Sequence, residues 1–362
     1  MTMRVRSLFL AVALFLAVAN RVLAEGFEVH TGDLDGVPYA LAVPDHWNGF
    51  LLLQAHGSRS IDAPLLADLD VDEPTNLALL ADGWLIAYSS YRRNGPIVGD
   101  AALDLIALRG HVAKVHGEPR LVLVEGWSMG AAVATLLVER HANAVAGACA
   151  IGAIYSYPVP GEDLTFTRRP RVPLLLISNM GETSDTGAYH AAAAAAGAPS
   201  ALWTVHRPGH VNVNSAERLA ALHALADWVL QGEVPASRDA TVIMSAETVA
   251  TRAAGTAAAT VVSVHAAYGN ITSRLVPDDL AWLGVSVGET FRVASADTTV
   301  DALYCVTYAD AQRGAWVVFP DAEGRLVIAR RAANAAAALG CAVGDTLRFL
   351  APGHRPGGSS RP

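Results

Sequence analysis

Apolar and polar positions follow one pattern up to about residue 232 and another beyond about 240. In the first part, short apolar runs recur as YALAVP, FLLLQAHG, LIAYSS, LVLVEG, AGACAIGAI, VPLLLISN and ALWTVHRP. Runs of this length bounded by turn residues predict strands buried on both faces. Helical stretches separate several of them, and that alternation predicts an α/β class fold with a doubly wound, mostly parallel sheet. Ligands of such a sheet gather at the carboxyl ends of its strands. The segment SAERLAALHALADWVLQ predicts a closing helix, with Asn214 as its cap, Glu217 at the capping-box position and Gly232 as its stop. The following EVPASRDA reads as a linker.

Beyond it the pattern shifts to threonine, valine and alternating polar positions, as in TFRVASADTTVDALYCVTYAD and GAWVVFPDAEGRLVIARRA. LGVSVGETFRV at 283–293 recurs as LGCAVGDTLRF at 339–349. Each copy reads as a helix end, a glycine turn and a strand, which predicts a small pseudo-symmetric β-barrel or sandwich. The expected organisation is a first domain over 25–236, a β domain over 237–352 and a disordered tail over 353–362.

Composition adds limits. The 362 residues are 52% hydrophobic and 17% charged, with a net charge of −8 and a single lysine, Lys114. No basic stripe offers itself to nucleic acid or anionic lipid. At the N-terminus Arg4 and Arg6 precede an apolar run from Leu8 to Ala19 and the small-residue site Val22-Leu23-Ala24. That layout predicts a signal peptide over 1–24 and a secreted or periplasmic protein without stable membrane insertion, since the run is short for a bilayer span. Cys149 lies in an apolar run and reads as core, whereas Cys305 and Cys341 could pair in an oxidising compartment. No cysteine or histidine spacing suits a metal, and no glycine cluster forms a phosphate loop, so neither metal nor cofactor is expected.

The chemistry concentrates in VLVEGWSMGA. Gly126 and Gly130 flank Ser128 at two residues on either side, between a predicted strand and a predicted helix. A strained strand-to-helix turn lifts such a serine clear of the sheet, and side chains at the flanking positions would collide where strand and helix cross. Ser128 is the candidate nucleophile, and the amide of Met129 at the helix start can face an oxyanion. A hydroxyl needs a base. His210, in the loop after the last predicted strand of this part, holds the position expected for it in the chain order serine, acid, histidine. The acid should lie in NMGETSD, where Glu182 follows the strand directly and Asp185 stands one helical turn on; both remain candidates. After the run at 51–54, the turn at Gly57 and Ser58 could supply the second oxyanion amide. Fewer than twenty residues separate Ile154 from Pro173, too few for a cap domain. The cleft is expected to be open unless the second domain covers it, with Tyr91, Trp127 and Tyr155 as candidate lining residues.

Taken in order, VPDHWNGFLLLQAHG, LIAYSSYRRNG, VEGWSMG, LLLISNMGE and GHVNVNSAE resemble secreted α/β-hydrolases of the serine esterase type, over roughly residues 26–232. The resemblance implies an α/β-hydrolase fold and a triad with Ser128, Glu182 and His210 at the matching positions. It departs in having glutamate where such relatives usually place aspartate, which keeps Asp185 open. Gly-Trp-Ser-Met-Gly is also similar to the pentapeptide of polyester-cleaving cutinase-like hydrolases. The expected partner is therefore an ester, small or polymeric, with amide or peptide cleavage as the alternative within the same triad.

YGNITS (268–273), VTYAD (306–310), GRLVIARRAANAAAALG (324–340) and VGDTLRF (343–349) resemble the C-terminal domain of S-adenosylmethionine hydroxide adenosyltransferases. In that family a nucleoside lies between this domain and a neighbour's N-terminal domain in a trimer, and Asn270 and residues 330–335 match positions that contact it. The resemblance thus implies homo-oligomerisation, a substrate-gripping role or a wall of the cleft, and adenosyl-ligand binding as an alternative function. An acidic residue expected before YGN is replaced by His265-Ala266-Ala267.

Overall fold

The computed structural model describes residues 26–353 except 157, 158 and 163. The expected leader over 1–24 and the tail from 354 lie outside the described residues.

The first sheet contains β1 (Phe27–Leu34), β2 (Val37–Pro44), β3 (Phe50–Ala55), β4 (Leu85–Ser89), β5 (Leu121–Trp127), β6 (Gly147–Ile151), β7 (Leu174–Met180), β8 (Ser200–Pro208) and the two-residue β9 (Arg238–Asp239). They lie in the order β1-β2-β4-β3-β5-β6-β7-β8-β9. From β4 onward every pairing is parallel, while β2 runs antiparallel to both β1 and β4. The antiparallel edge is a hairpin turning at Asp35 (φ +53°) and Gly36 (φ +87°), the two positive φ values that a tight primed turn requires. β1 carries no apolar run because one edge and much of its surface face solvent, which is why it does not stand out in the hydrophobic pattern.

Helices α1 (Pro74–Ala81) and α5 (Ser215–Gln231) pack on one face of the sheet. Helices α2 (Gly99–His116), α3 (Met129–Arg140) and α4 (Thr183–Ala195) pack on the other. Leu51, Leu53 and Val124 point to the α2–α3 side, and Leu52, Leu123 and Leu175 to the α1–α5 side, as strand alternation demands. The arrangement is an α/β-hydrolase fold. α5 has the expected ends: Asn214 accepts from the Glu217 amide, Glu217 accepts from the Asn214 amide, and Gly232 closes it at φ +78°.

The second body comprises β10 (Thr251–Ala253), β11 (Thr256–Val264), β12 (Ile271–Ser273), α6 (Pro277–Trp282), β13 (Thr290–Ala294), β14 (Thr299–Tyr304), β15 (Trp316–Pro320), β16 (Leu326–Arg330), α7 (Ala335–Leu339) and β17 (Thr346–Leu350). Strands β11-β12-β16-β15-β14-β13-β17 form a ring that the β17–β11 pairing closes, so this is a seven-stranded barrel. Closure removes the exposed strand edges that an open sheet of this size would leave. The sequence repeat corresponds to α6–β13 and α7–β17, and the two repeat strands pair antiparallel. Cys149, Cys305 and Cys341 are all free and buried, in separate apolar clusters, so the pairing open to the last two is not made.

The boundary expected at 236 is corrected by the structure. Residues 237–242 still belong to the first sheet: β9 pairs with β8, Ser237 Oγ accepts from the Leu202 amide, Thr241 Oγ1 accepts from the His206 amide, and the Ala240 amide donates to Thr204. Arg238 stacks 4.2 Å from the Trp203 ring centroid. The chain leaves this domain after Val242, whose carbonyl accepts from Arg207 and Asn214.

Candidate active site

Ser128 sits between β5 and α3 at φ +56° and ψ −119°, a conformation that L-residues rarely adopt. The flanking glycines make it possible. A Cβ on Gly126 would lie 2.1 Å from the Gly130 carbonyl oxygen, and one on Gly130 would lie 1.9 Å from that of Ala55. Both distances are far inside contact, so β3, β5 and α3 could not cross here with any other residue. The amide of Ser128 donates to Ile151 at 2.9 Å, which ties the turn to the end of β6.

His210 Nε2 lies 2.8 Å from Ser128 Oγ, and its Nδ1 is hydrogen-bonded to Glu182 Oε1. Glu182 follows Gly181 (φ +88°) at the carboxyl end of β7. Asp185, in the first turn of α4, faces elsewhere: its Oδ2 accepts from the Tyr155 amide at 3.0 Å and from Ser156 Oγ at 3.2 Å. Of the two acids, Glu182 is the one brought to His210. The imidazole side chain is 43% exposed, so solvent-borne substrate can reach it.

Two further residues shape this part of the site, and sequence reasoning missed both. Asn179 is fully buried at the end of β7; its Nδ2 donates to the carbonyls of Arg207 and Asn212, and its Oδ1 accepts from the Asn212 amide at 2.8 Å. It thereby fixes the loop that carries His210. The available signal was an asparagine, able to donate and accept at once, ending the otherwise mostly apolar strand run LLLISN. Gly152 (φ +62°) lies against the acid–base pair: a Cβ there would stand 3.4 Å from both Glu182 Oε2 and His210 Cε1.

The turn at 57–58 closes over the nucleophile, with the Cβ position of Gly57 3.3 Å from Ser128 Cβ. Among the described residues neither the Ser58 nor the Met129 amide has an acceptor, so both remain available to an oxyanion. His56, 6% exposed, precedes this turn and places Nδ1 2.7 Å from the Gly57 carbonyl and Nε2 3.2 Å from that of Ser90. Its pKa is pushed down to about 4, first by burial and then by the Arg59 charge, although both carbonyls favour the proton. The folded imidazole therefore stays neutral where the unfolded one, with an ordinary pKa of about 6.5, takes up a proton. Stability from this group is whole above pH ~6.5 and is lost as the pH falls towards 4, by up to about 3 kcal/mol. Urea midpoints should fall through that window for the native chain, with a visibly flatter dependence for His56→Gln; parallel curves would remove His56 as the titrating group.

The expected lining residues need correction. Tyr91 is fully buried, with φ +59° turning its ring inward to stack 4.0 Å from His56 and its hydroxyl on the His56 carbonyl. Tyr155 packs its ring between Tyr189 and Phe166 and bonds Thr135 through its hydroxyl; burial pushes its phenol up. Trp127 is half-buried against the α1–α5 core under the Arg218 guanidinium, 5.1 Å from the ring centroid. The two tyrosines are core supports of the site. The connection 152–173 contains no helix or strand among its described residues, so no cap of regular structure lies there.

Beneath the serine turn, fully buried Glu125 receives Arg218 through two hydrogen bonds of 2.8 Å, and Arg218 also pairs with Glu73 at 2.7 Å. Burial works against the guanidinium charge, but the two carboxylates outweigh it and raise its pKa.

A search of the curated proteins finds none similar in sequence to this chain. Among solved structures it is similar to an uncharacterised conserved protein from Thermotoga maritima, at 22% identity over 30% of this chain and 40% of that one, with a TM-score of 0.27. It is also similar to the acylaminoacyl peptidase of Pyrococcus horikoshii (11% identity, 59% and 42% covered, TM-score 0.45) and to a hormone-sensitive lipase from a metagenome library (18%, 56% and 86%, 0.45). The chain spans less than half the length of the first two. Residues 259–348, most of the barrel, match the family model of the SAM hydroxide adenosyltransferase C-terminal domain. The chain joins the α/β-hydrolase fold given by its sheet topology to a C-terminal barrel similar to that adenosyltransferase domain.

Proposed function

We propose that this protein is an exported serine hydrolase that cleaves carboxylic esters, with Ser128, His210 and Glu182 as its triad. The observation that carries the reading is the unbroken chain of hydrogen bonds from Ser128 Oγ through His210 to Glu182. His210 Nε2 takes the hydroxyl proton as Ser128 Oγ bonds to the ester carbonyl carbon. The negative charge that develops on the carbonyl oxygen is met by the amides of Ser58 and Met129. Collapse of the tetrahedral intermediate breaks the bond to the alcohol oxygen, which takes the proton from His210. A water then repeats the sequence on the acyl-enzyme and releases the acid. Glu182 keeps the Nδ1 proton of His210 in place and stabilises the imidazolium. None of these steps calls for a metal or an organic cofactor.

The exposed imidazole and the absence of a helix or strand among the described residues of 152–173 support bulky or polymeric esters as substrates. The leader-like N-terminus supports a secreted or periplasmic site of action. The test compares p-nitrophenyl butyrate with the p-nitroanilide of the same acyl group. Ester turnover without measurable anilide turnover is expected; comparable rates would assign the site to amides.

A further inference from the structure

Three consecutive carbonyls fix the turn that covers Ser128. That of Gly57 faces His56 Nδ1 at 2.7 Å, and that of Arg59 accepts from the Gly95 amide at 3.0 Å. The middle one, Ser58, accepts from outside the domain: Tyr268 Oη of the barrel donates to it at 2.7 Å, across 210 residues of chain. We infer that the barrel is a working part of the hydrolase site, with Tyr268 as the positioning residue that holds Ser58 so that its amide faces the oxyanion.

The donor is held as firmly as the acceptor. Tyr268 lies on the turn between β11 and β12, which is closed by the His265 amide to Asn270 (2.8 Å) and the Gly269 amide to His265 (2.7 Å). His265 Nδ1 lies 3.2 Å from the Ala267 amide and 3.4 Å from that of Tyr268, and the His265 and Tyr268 rings lie 4.7 Å apart. The Gly269 carbonyl accepts from the Ala336 amide at 2.9 Å, which anchors the turn to α7. A Cβ on Gly269 would stand 2.1 Å from Asn334 Oδ1, so the turn and α7 meet with no slack. On the hydrolase side, Arg59 bonds the Leu66 carbonyl, Asp68 and the Tyr88 hydroxyl, so the residue after Ser58 is also immobilised. Tyr268 thus joins two rigid bodies at the residue whose orientation governs charge stabilisation. A donor amide turned away from the oxyanion loses most of its value while the ground-state ester still binds, so the interaction acts on turnover more than on affinity.

This inference rests on the esterase reading, and the test separates the two. The full chain and its Ser128→Ala, Tyr268→Phe and Tyr308→Phe variants are assayed on p-nitrophenyl butyrate, with hydrogen exchange of the peptide spanning Gly57 to Ile61 measured alongside. Tyr268→Phe deletes one oxygen. It should lower kcat about tenfold with KM nearly unchanged, weaken a boronic acid inhibitor by a similar factor, and speed exchange at 57–61. Tyr308→Phe, which deletes a neighbouring barrel hydroxyl whose contact is the Ala332 amide and not the hydrolase turn, should match the native chain. Unchanged kcat and unchanged exchange in Tyr268→Phe overturn the inference while the esterase reading stands. A native chain whose activity is absent, or survives Ser128→Ala, overturns that reading, and the exchange measurement then still decides whether Tyr268 holds the turn. If Tyr268→Phe fails to fold, Tyr268→4-aminophenylalanine, which keeps a donor at the para position within reach of the Ser58 carbonyl, replaces it; native-like kcat and exchange in that variant support the hydrogen bond as the agent, and a tenfold loss of kcat with unchanged exchange at 57–61 overturns it.

Discussion

Ser128→Ala is expected to lower kcat/KM for p-nitrophenyl butyrate by at least ~10⁴-fold while leaving the fold intact. The substitution removes one oxygen, and alanine at φ +56° is no more strained than serine there. What remains is an oxyanion pair and a base with nothing to deprotonate, so a residual rate above water is expected. His210→Ala should cost about as much, and the double variant no more than either alone, because the two act as one unit. Glu182→Ala is expected to cost ~10³- to 10⁴-fold, since His210 stays present but loses its orienting partner. Asp185→Ala separates the two acids: its bonds go to Tyr155 and Ser156, so it should leave kcat/KM within about threefold and lower stability by about 1 kcal/mol. A larger loss of rate in Asp185→Ala than in Glu182→Ala would reverse the assignment. Titration with a p-nitrophenyl phosphonate counts competent serines and keeps misfolded protein out of the comparison.

The largest effect on stability is expected from Arg218→Met. Methionine fills much of the volume but strands the Glu125 carboxylate, whose other contact is Gln54 at 3.5 Å. Removing one partner of a buried ion pair leaves an uncompensated charge and costs about 3–5 kcal/mol. In a domain of this size that lowers Tm on the order of 10 °C. Glu125→Leu added to Arg218→Met should recover most of the loss, because the penalty belongs to the orphaned charge. Urea denaturation of the two single variants and the double variant checks this, and additive losses would show that Glu125 finds another partner. The guanidinium also bridges Glu73, whose side chain caps α1 by accepting from the Asn76 amide at 3.0 Å. Unfolding in Arg218→Met should therefore begin where α1, α5 and β5 meet, directly below the serine.

What could be read in the chain beforehand was local. Gly126 and Gly130 announce the serine turn because the collision they avoid involves residues within a few positions and the adjoining strand. Asn214, Glu217 and Gly232 delimit α5 for a similar reason. The repeat revealed the paired strands β13 and β17 because both copies keep the same glycine turn. What could not be read was decided at a distance. Glu182 and Asp185 look interchangeable until the Tyr155 amide and the Ser156 hydroxyl claim one of them from 29–30 residues away. Tyr91 sits in a segment suited to the cleft, and only its positive φ turns the ring into the core. Tyr268 belongs to a motif that reads as part of another family's ligand site, and nothing near it in sequence points to Ser58. The end of the first domain was misplaced because β9 has two residues, too few to create a hydrophobic period.

That short strand matters to anyone who would separate the two halves. A protease or a stop codon placed at 236 would not fall between domains; it would unzip the first sheet. The amides of Leu202 and His206 and the carbonyl of Thr204 would lose Ser237, Thr241 and Ala240, and the Trp203 ring would lose Arg238. The bare β8 edge left behind is a template for pairing with another molecule. Precipitation or dimerisation of such a fragment would report a torn hem and not the absence of the barrel, whereas a cut after 242 keeps the selvedge with the cloth.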